Sequence, residues 1–204
     1  MALSTFVYIR DVENLSDARY CAGMGVEMIG FRLDSNLENS LDISTFKEIS
    51  NWISGVKIVG EFGQTPMDQI KEILNDCKVD YLLVPEIGLL EQYSKLNKQL
   101  ILQLDLDSTI EDQLSALNFT TEEFEYLLLT SSKSELDAND TSMIQELANQ
   151  HSVILGFGID EQNANGVVGE LGLEGISLAG SFEIRPGFKD YDELADILET
   201  LEID

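Results

Sequence analysis

Residues 6–33 read FVYIRDVENLSDARYCAGMGVEMIGFRL. Phe6–Ile9 and Met28–Leu33 are rich in β-favouring apolar residues at consecutive positions, so neither face is written for water. The stretch between them, Leu15–Met24, carries a helical pattern. Two strands buried on both faces and joined by a helix form a parallel pair, because parallel strands need a crossover of that length. The first strand runs straight into Arg10, Asp11 and Glu13. Those charges fall at its C-terminal end, where folds of this kind carry their chemistry.

The same unit recurs to the end of the chain. A helical stretch at Ile43–Trp52 leads to VKIVGEF, Met67–Leu74 to DYLLVP, and Leu89–Leu96 to LILQLDL. Thr109–Leu117 precedes EYLLLT, Ser142–Ala148 precedes SVILGFG, Asn163–Leu171 precedes GISLAG, and Tyr191–Leu201 follows. Eight strand–helix units in a chain of 204 residues sit at the lower size limit of a (β/α)8 or TIM barrel. An open doubly wound sheet has fewer strands and a glycine-rich first turn, and the first turn here, RDVEN, has no glycine. No linker or composition shift divides the chain. The expectation is one α/β domain, residues 1–204, with Arg10, Arg32, Glu61, Glu86, Asp105, Thr130 and Ser177 or Ala179 around one mouth. His151 precedes a strand and belongs at the opposite end.

Thirty-eight acids against twelve bases give a net charge of −26. That balance argues against nucleic acid and anionic membranes, which need a positive footprint. Dispersed acids read as a solvated surface, and their self-repulsion favours a monomer over a homodimer. No apolar run approaches a membrane span of roughly 20 residues. The N-terminus lacks the pattern of a secretory signal, and Cys21 and Cys77 show no metal or redox spacing. A reduced, cytoplasmic protein is expected.

Four pieces in order, IRDVENLSDARYCAGMGVEMIGF, VKIVGEFGQTPMDQI, ILGFGIDEQNA and ISLAGSFEIRPGFKD, make the sequence similar to the phosphoribosylanthranilate isomerase family of tryptophan biosynthesis. The most specific are the phrase at Asp17–Phe31 and the one at Glu183–Asp190. The resemblance implies a small single-domain barrel and an Amadori rearrangement of an aminoribose to an aminoketose, with no cofactor. That isomerase reaction needs a general acid at the ring oxygen and a general base at the adjacent carbon. In the family the base is a cysteine ending the first strand and the acid an aspartate ending the sixth.

At the cysteine's place stands Arg10, a permanent cation that cannot act as a base. At the aspartate's place stands Leu129 or Thr130, and Cys21 lies within the first helix. The family's substrate-positioning arginine after the second strand falls nearest Asn39, and its eighth-strand aspartate corresponds to Ser177. The phosphate end survives better: Gly156, Gly158, Ala179, Gly180 and Ser181 keep the small residues through which loops seven and eight approach a phosphate. Such glycines also serve tight turns.

Two readings therefore stand for the mouth. Arg10 and Arg32 either form an anion site for a small phosphorylated or carboxylated ligand or neutralise Glu61, Glu86, Asp105 or Asp11 in an ion-pair network. The functional expectation is a diverged barrel, a pseudoenzyme for the tryptophan-pathway step. The alternative is a working isomerase that uses substitute carboxylates, Asp11 or Glu61, and a third possibility is a barrel kept as an interaction module. Asp105 and Asp107 alternate along one strand in this reading, and nothing in the spacing of the acids specifies a metal.

Overall fold

The computed structural model describes residues 2–35, 40–108, 110–120, 123–180, 182–185, 188–190 and 192–203. The elements are β1 (Ala2–Leu3), β2 (Phe6–Arg10), α1 (Leu15–Met24), β3 (Met28–Arg32), α2 (Ile43–Trp52), β4 (Lys57–Glu61), α3 (Met67–Asp76) and β5 (Tyr81–Val84). A 3-10 turn at Ile87–Leu89 leads into α4 (Leu90–Ser94), followed by β6 (Gln99–Asp105), α5 (Ile110–Phe119), β7 (Tyr126–Thr130), α6 (Ala138–Ala148) and β8 (Val153–Leu155). The chain continues through α7 (Ala164–Leu171), β9 (Gly175–Ala179), β10 (Phe182–Arg185), β11 (Phe188–Asp190), α8 (Asp192–Thr200) and β12 (Glu202–Ile203). Strands β2 to β9 are parallel and close into a barrel, with β9 pairing back onto β2 from Phe6 opposite Gly175 to Arg10 opposite Ala179.

Local chemistry sets the helix ends. The Asn14 side chain accepts the Asp17 N–H at 3.0 Å to start α1, and Gly25 ends it in the left-handed region at φ 86, a conformation that costs glycine least. Asp42 accepts from the Ser44 and Thr45 amides to start α2. Asp137 and Asp140 form a reciprocal capping box, so α6 begins at Ala138, before the apolar pattern that marks it from Ser142.

Alternation along each strand separates two cores. Outward residues such as Val7, Ile9, Phe31, Leu82 and Leu104 join the helices in a continuous outer core. Inward residues Tyr8, Met28, Val59, Tyr81, Leu83, Ile101, Leu128 and Ile154 fill the lumen. Two residues further along the same strands, the inward series reaches Arg10, Gly30, Glu61, Gln103, Thr130 and Gly156, so a polar layer tops an apolar one. At the other end Phe6, Tyr126 and Tyr81 close the lumen with ring centroids 5.2 and 6.0 Å apart. His151 stacks on Phe124 at 5.5 Å, away from the polar layer. Two features lie outside the repeat: the antiparallel pair β1–β12 and the hairpin β10–β11.

Candidate functional site

The polar layer is organised around Glu61. Its Oε1 accepts the Tyr8 hydroxyl at 2.7 Å, and both residues are buried. Gly30 makes room for them: a Cβ there would meet Glu61 Oε1 and lie 2.7 Å from the Tyr8 oxygen. Asp11 takes a left-handed backbone conformation, φ 59, and its carboxylate meets Arg32 Nε at 2.6 Å. Burial, then the charge of Asp11, pushes the Glu61 carboxyl up to about 8, against the opposing pull of Tyr8 and Arg10. At neutral pH the buried Glu61 carboxyl therefore favours its protonated form. Burial and the neighbouring Glu61 raise the Tyr8 phenol as well.

The two arginines of the mouth differ. Arg32 is paired with Asp11. Among the described residues Arg10 has no carboxylate within ion-pair distance: its Nη2 reaches the Gly156 carbonyl at 3.5 Å, and its Nε is sealed from solvent without a partner. The expected ion-pair network therefore holds for Arg32 and Asp11 and not for Arg10. Ser177 is 2% exposed, and its hydroxyl is also without a partner. At the end of β7, Thr130 accepts from Gln103 at 3.1 Å and donates to the Leu104 carbonyl at 3.4 Å.

Gly156, Gly158, Ala179 and Gly180 lie at the ends of β8 and β9; Ser181 and Asn39 lie outside the described residues. The Gly156 N–H donates to the Leu129 carbonyl at 2.8 Å and the Gly180 N–H to the Arg10 carbonyl at 2.7 Å. A Cβ on either glycine would stand 3.0 Å from a backbone oxygen. These two glycines thus serve close backbone approach, and their amides are already engaged. Among the described side chains at this end of the mouth, the charge that can attract an anion is that of Arg10.

Other candidates stand elsewhere. Asp105 ends β6 and is exposed, while Asp107 lies in the following turn, its N–H bonded to Asp105 and its carboxylate accepting from Ser131 and Ser132. The two do not alternate along one strand, because the strand stops between them; Asp107 ties two loops together. Glu86 is exposed beyond β5. Cys21 is packed in the outer core, where burial pushes its thiol up to about 12. No group of three or more His, Cys, Asp or Glu side chains is arranged for a metal among the described residues. Likewise, no helix among them is long and apolar enough to cross a membrane. Strand periodicity places Tyr8 in β2 without showing its bond to Glu61, and Gly30 and Gln103 carry no charge or motif that marks them. Stepping inward by twos, from Arg10 to Tyr8 and from Arg32 to Gly30, leads to the first two of these residues.

Among solved structures, the phosphoribosyl anthranilate isomerase of Thermotoga maritima matches with a TM-score of 0.77 at 19% identity, covering 97% of this chain and 98% of that one. The Thermus thermophilus enzyme matches with a TM-score of 0.76 at 20% identity and the same coverage. A phosphoribosyl anthranilate isomerase in complex with reduced 1-(o-carboxyphenylamino)-1-deoxyribulose 5-phosphate matches with a TM-score of 0.76 at 19% identity, again covering 97% and 98%. At these identities the likeness shows the fold. Among curated proteins no sequence matches the chain. The model of the N-(5'-phosphoribosyl)anthranilate (PRA) isomerase family matches residues 11–200 of the 204, and the chain therefore belongs to that family.

Proposed function

We propose that this barrel is a diverged member of the isomerase family that has lost the family's reaction and receives a small phosphorylated or carboxylated ligand at its strand C-terminal face. One observation carries the reading: Arg10, at the place the resemblance gives to the catalytic cysteine, is a cation in the mouth with no carboxylate partner among the described residues. A guanidinium is a poor base and a good anion receptor. Thr130, at the place of the acid, is held by Gln103 and a backbone carbonyl. The ligand bound to one structural neighbour bears both a phosphate and a carboxylate, the two anion classes proposed here. Buried, free Cys21 and Cys77 fit a cytoplasmic protein, and the charge of −26 fits a monomer.

The second reading, an isomerase with substitute groups, draws on Glu61, whose carboxyl burial and the charge of Asp11 push up to about 8. Glu61 is 5% exposed and bonded to Tyr8, and Asp11 is paired with Arg32. That arrangement suits a buried network better than an acid and a base working across a ring.

The test is turnover of phosphoribosylanthranilate by purified, folded protein, followed as loss of substrate fluorescence. No turnover is expected. Turnover abolished by Asp11→Asn or Glu61→Gln would replace the first reading with the second. Combining Arg10→Cys with Thr130→Asp should restore partial activity at most, since the mouth differs from the family at further positions. Full family-level activity in that double variant would show those other differences to be unimportant.

A further inference from the structure

We propose that Arg10 and Ser177 together form a carboxylate subsite in the upper lumen of the barrel. The inference deepens the ligand-binding reading above and rests on it.

Two hydrogen-bond donors in the upper lumen, Arg10 Nε and Ser177 Oγ, are buried and have no acceptor. Buried polar groups find partners in the great majority of cases, and an orphan donor is costly. These two are neighbours by register. On the β2–β9 seam Tyr8 pairs with Ser177 and Arg10 with Ala179, so Ser177 lies on the lumen face one layer beneath Arg10. Strand β9 stands between β2 and β8, so a guanidinium that reaches the Gly156 carbonyl on β8's end spans past β9.

What the pair lacks is acceptor oxygens. A carboxylate supplies two in a plane, matching the fork of an arginine, while a serine hydroxyl donates to either. The surrounding positions are small, Gly156, Ser177 and Ala179, which suits a flat group entering edge-on. Both donors are shut off from solvent in this conformation, so the Arg10 side chain must swing on its flexible stem to admit the ligand. Its 3.5 Å contact with the Gly156 carbonyl, near the outer limit for a hydrogen bond, offers little resistance.

The experiment is isothermal titration of the whole chain with benzoate and, separately, with inorganic phosphate, using wild type, Arg10→Met, Arg10→Lys and Ser177→Ala, each checked for folding by circular dichroism. Benzoate should bind wild type, about tenfold or more weakly to Arg10→Met, and roughly threefold or more weakly to Ser177→Ala. Arg10→Lys should recover charge without the fork and fall between wild type and Arg10→Met. Phosphate binding should be unaffected by Ser177→Ala, and that variant should melt no lower than wild type, because it removes an orphan donor. Phosphate binding without benzoate binding would overturn the subsite and leave the anion-binding mouth standing. Binding of neither would overturn both. Equal benzoate affinity in wild type and Ser177→Ala, with a lower melting point in the variant, would make Ser177 structural and the proposal wrong.

Discussion

At Glu61 the ordinary behaviour of a surface carboxylate is reversed. An unfolded glutamate releases its proton near about 4.3, whereas the buried Glu61 holds it to about 8. Between those values the folded state binds more protons than the unfolded one. This group's contribution is therefore fully present below the lower value and is lost as pH rises through about 8, by on the order of a few kcal/mol. Glu61→Gln keeps the shape and cannot ionise. The difference in stability between wild type and Glu61→Gln, from urea melts at pH 5 to 9, should shift steadily against wild type as pH rises; a pH-independent difference would show that Glu61 is ionised in the fold throughout. Gly30→Ala puts a methyl where Glu61 Oε1 and the Tyr8 oxygen now lie. It should cost about 1–3 kcal/mol, with strong coupling to Glu61→Ala in a double-mutant cycle. Part of this site was legible. Arg10 and Glu61 end strands of obvious register, so their inward direction follows from counting by twos. Asp11 was visible only as a nearby charge, since its reach into the layer depends on a left-handed backbone at a residue that is not glycine. Strand periodicity does not encode that.

Among the secondary-structure elements, glycines separate into those the packing requires and those it does not. Gly23, inside α1, and Gly169, inside α7, would have no atom within 4 Å of an added Cβ. Alanine at either position should raise stability by roughly 0.5–1 kcal/mol through helix propensity alone. Gly175 lies on the seam that closes the barrel, where a Cβ would run into the Phe6 backbone. Gly175→Ala should therefore lower stability, by at least about 1–3 kcal/mol, and thermal melts of the three variants test the opposite signs together. The eight barrel strands and most of the helices could be read because doubly buried strands are apolar at consecutive positions through most of their length and the intervening segments are not. The misjudged parts have other causes. Helix α6 starts on a polar capping box that carries no apolar signal. Region 87–94 splits into a 3-10 turn and a short helix, too brief for periodicity to resolve. The hairpin β10–β11 and the terminal pair β1–β12 pair outside the repeating unit that organised the reading.

Across the whole molecule the balance of 38 acids to 12 bases makes repulsion the dominant long-range term, because a compact chain brings like charges closer than an unfolded one does. The local ion pairs among the described residues are too few to reverse this. Lys47–Asp76, Lys95–Glu91 and the Lys133 contacts lie largely at the surface, where such pairs contribute little and weaken in salt. Arg32–Asp11 is partly shielded within the mouth and is screened less. Salt therefore acts mainly on the repulsion, shortening its range from about 30 Å at 0.01 M to about 10 Å at 0.1 M. The melting temperature should rise as sodium chloride increases from 10 mM to 0.5 M at pH 7.5, with most of the gain in the first decade of concentration. Sedimentation velocity across the same series should report a monomer at low salt, where repulsion between copies is strongest. A melting temperature that falls with salt would mean that favourable ion pairs outweigh the excess of acids, and that the acidic surface is ordered around its few cations.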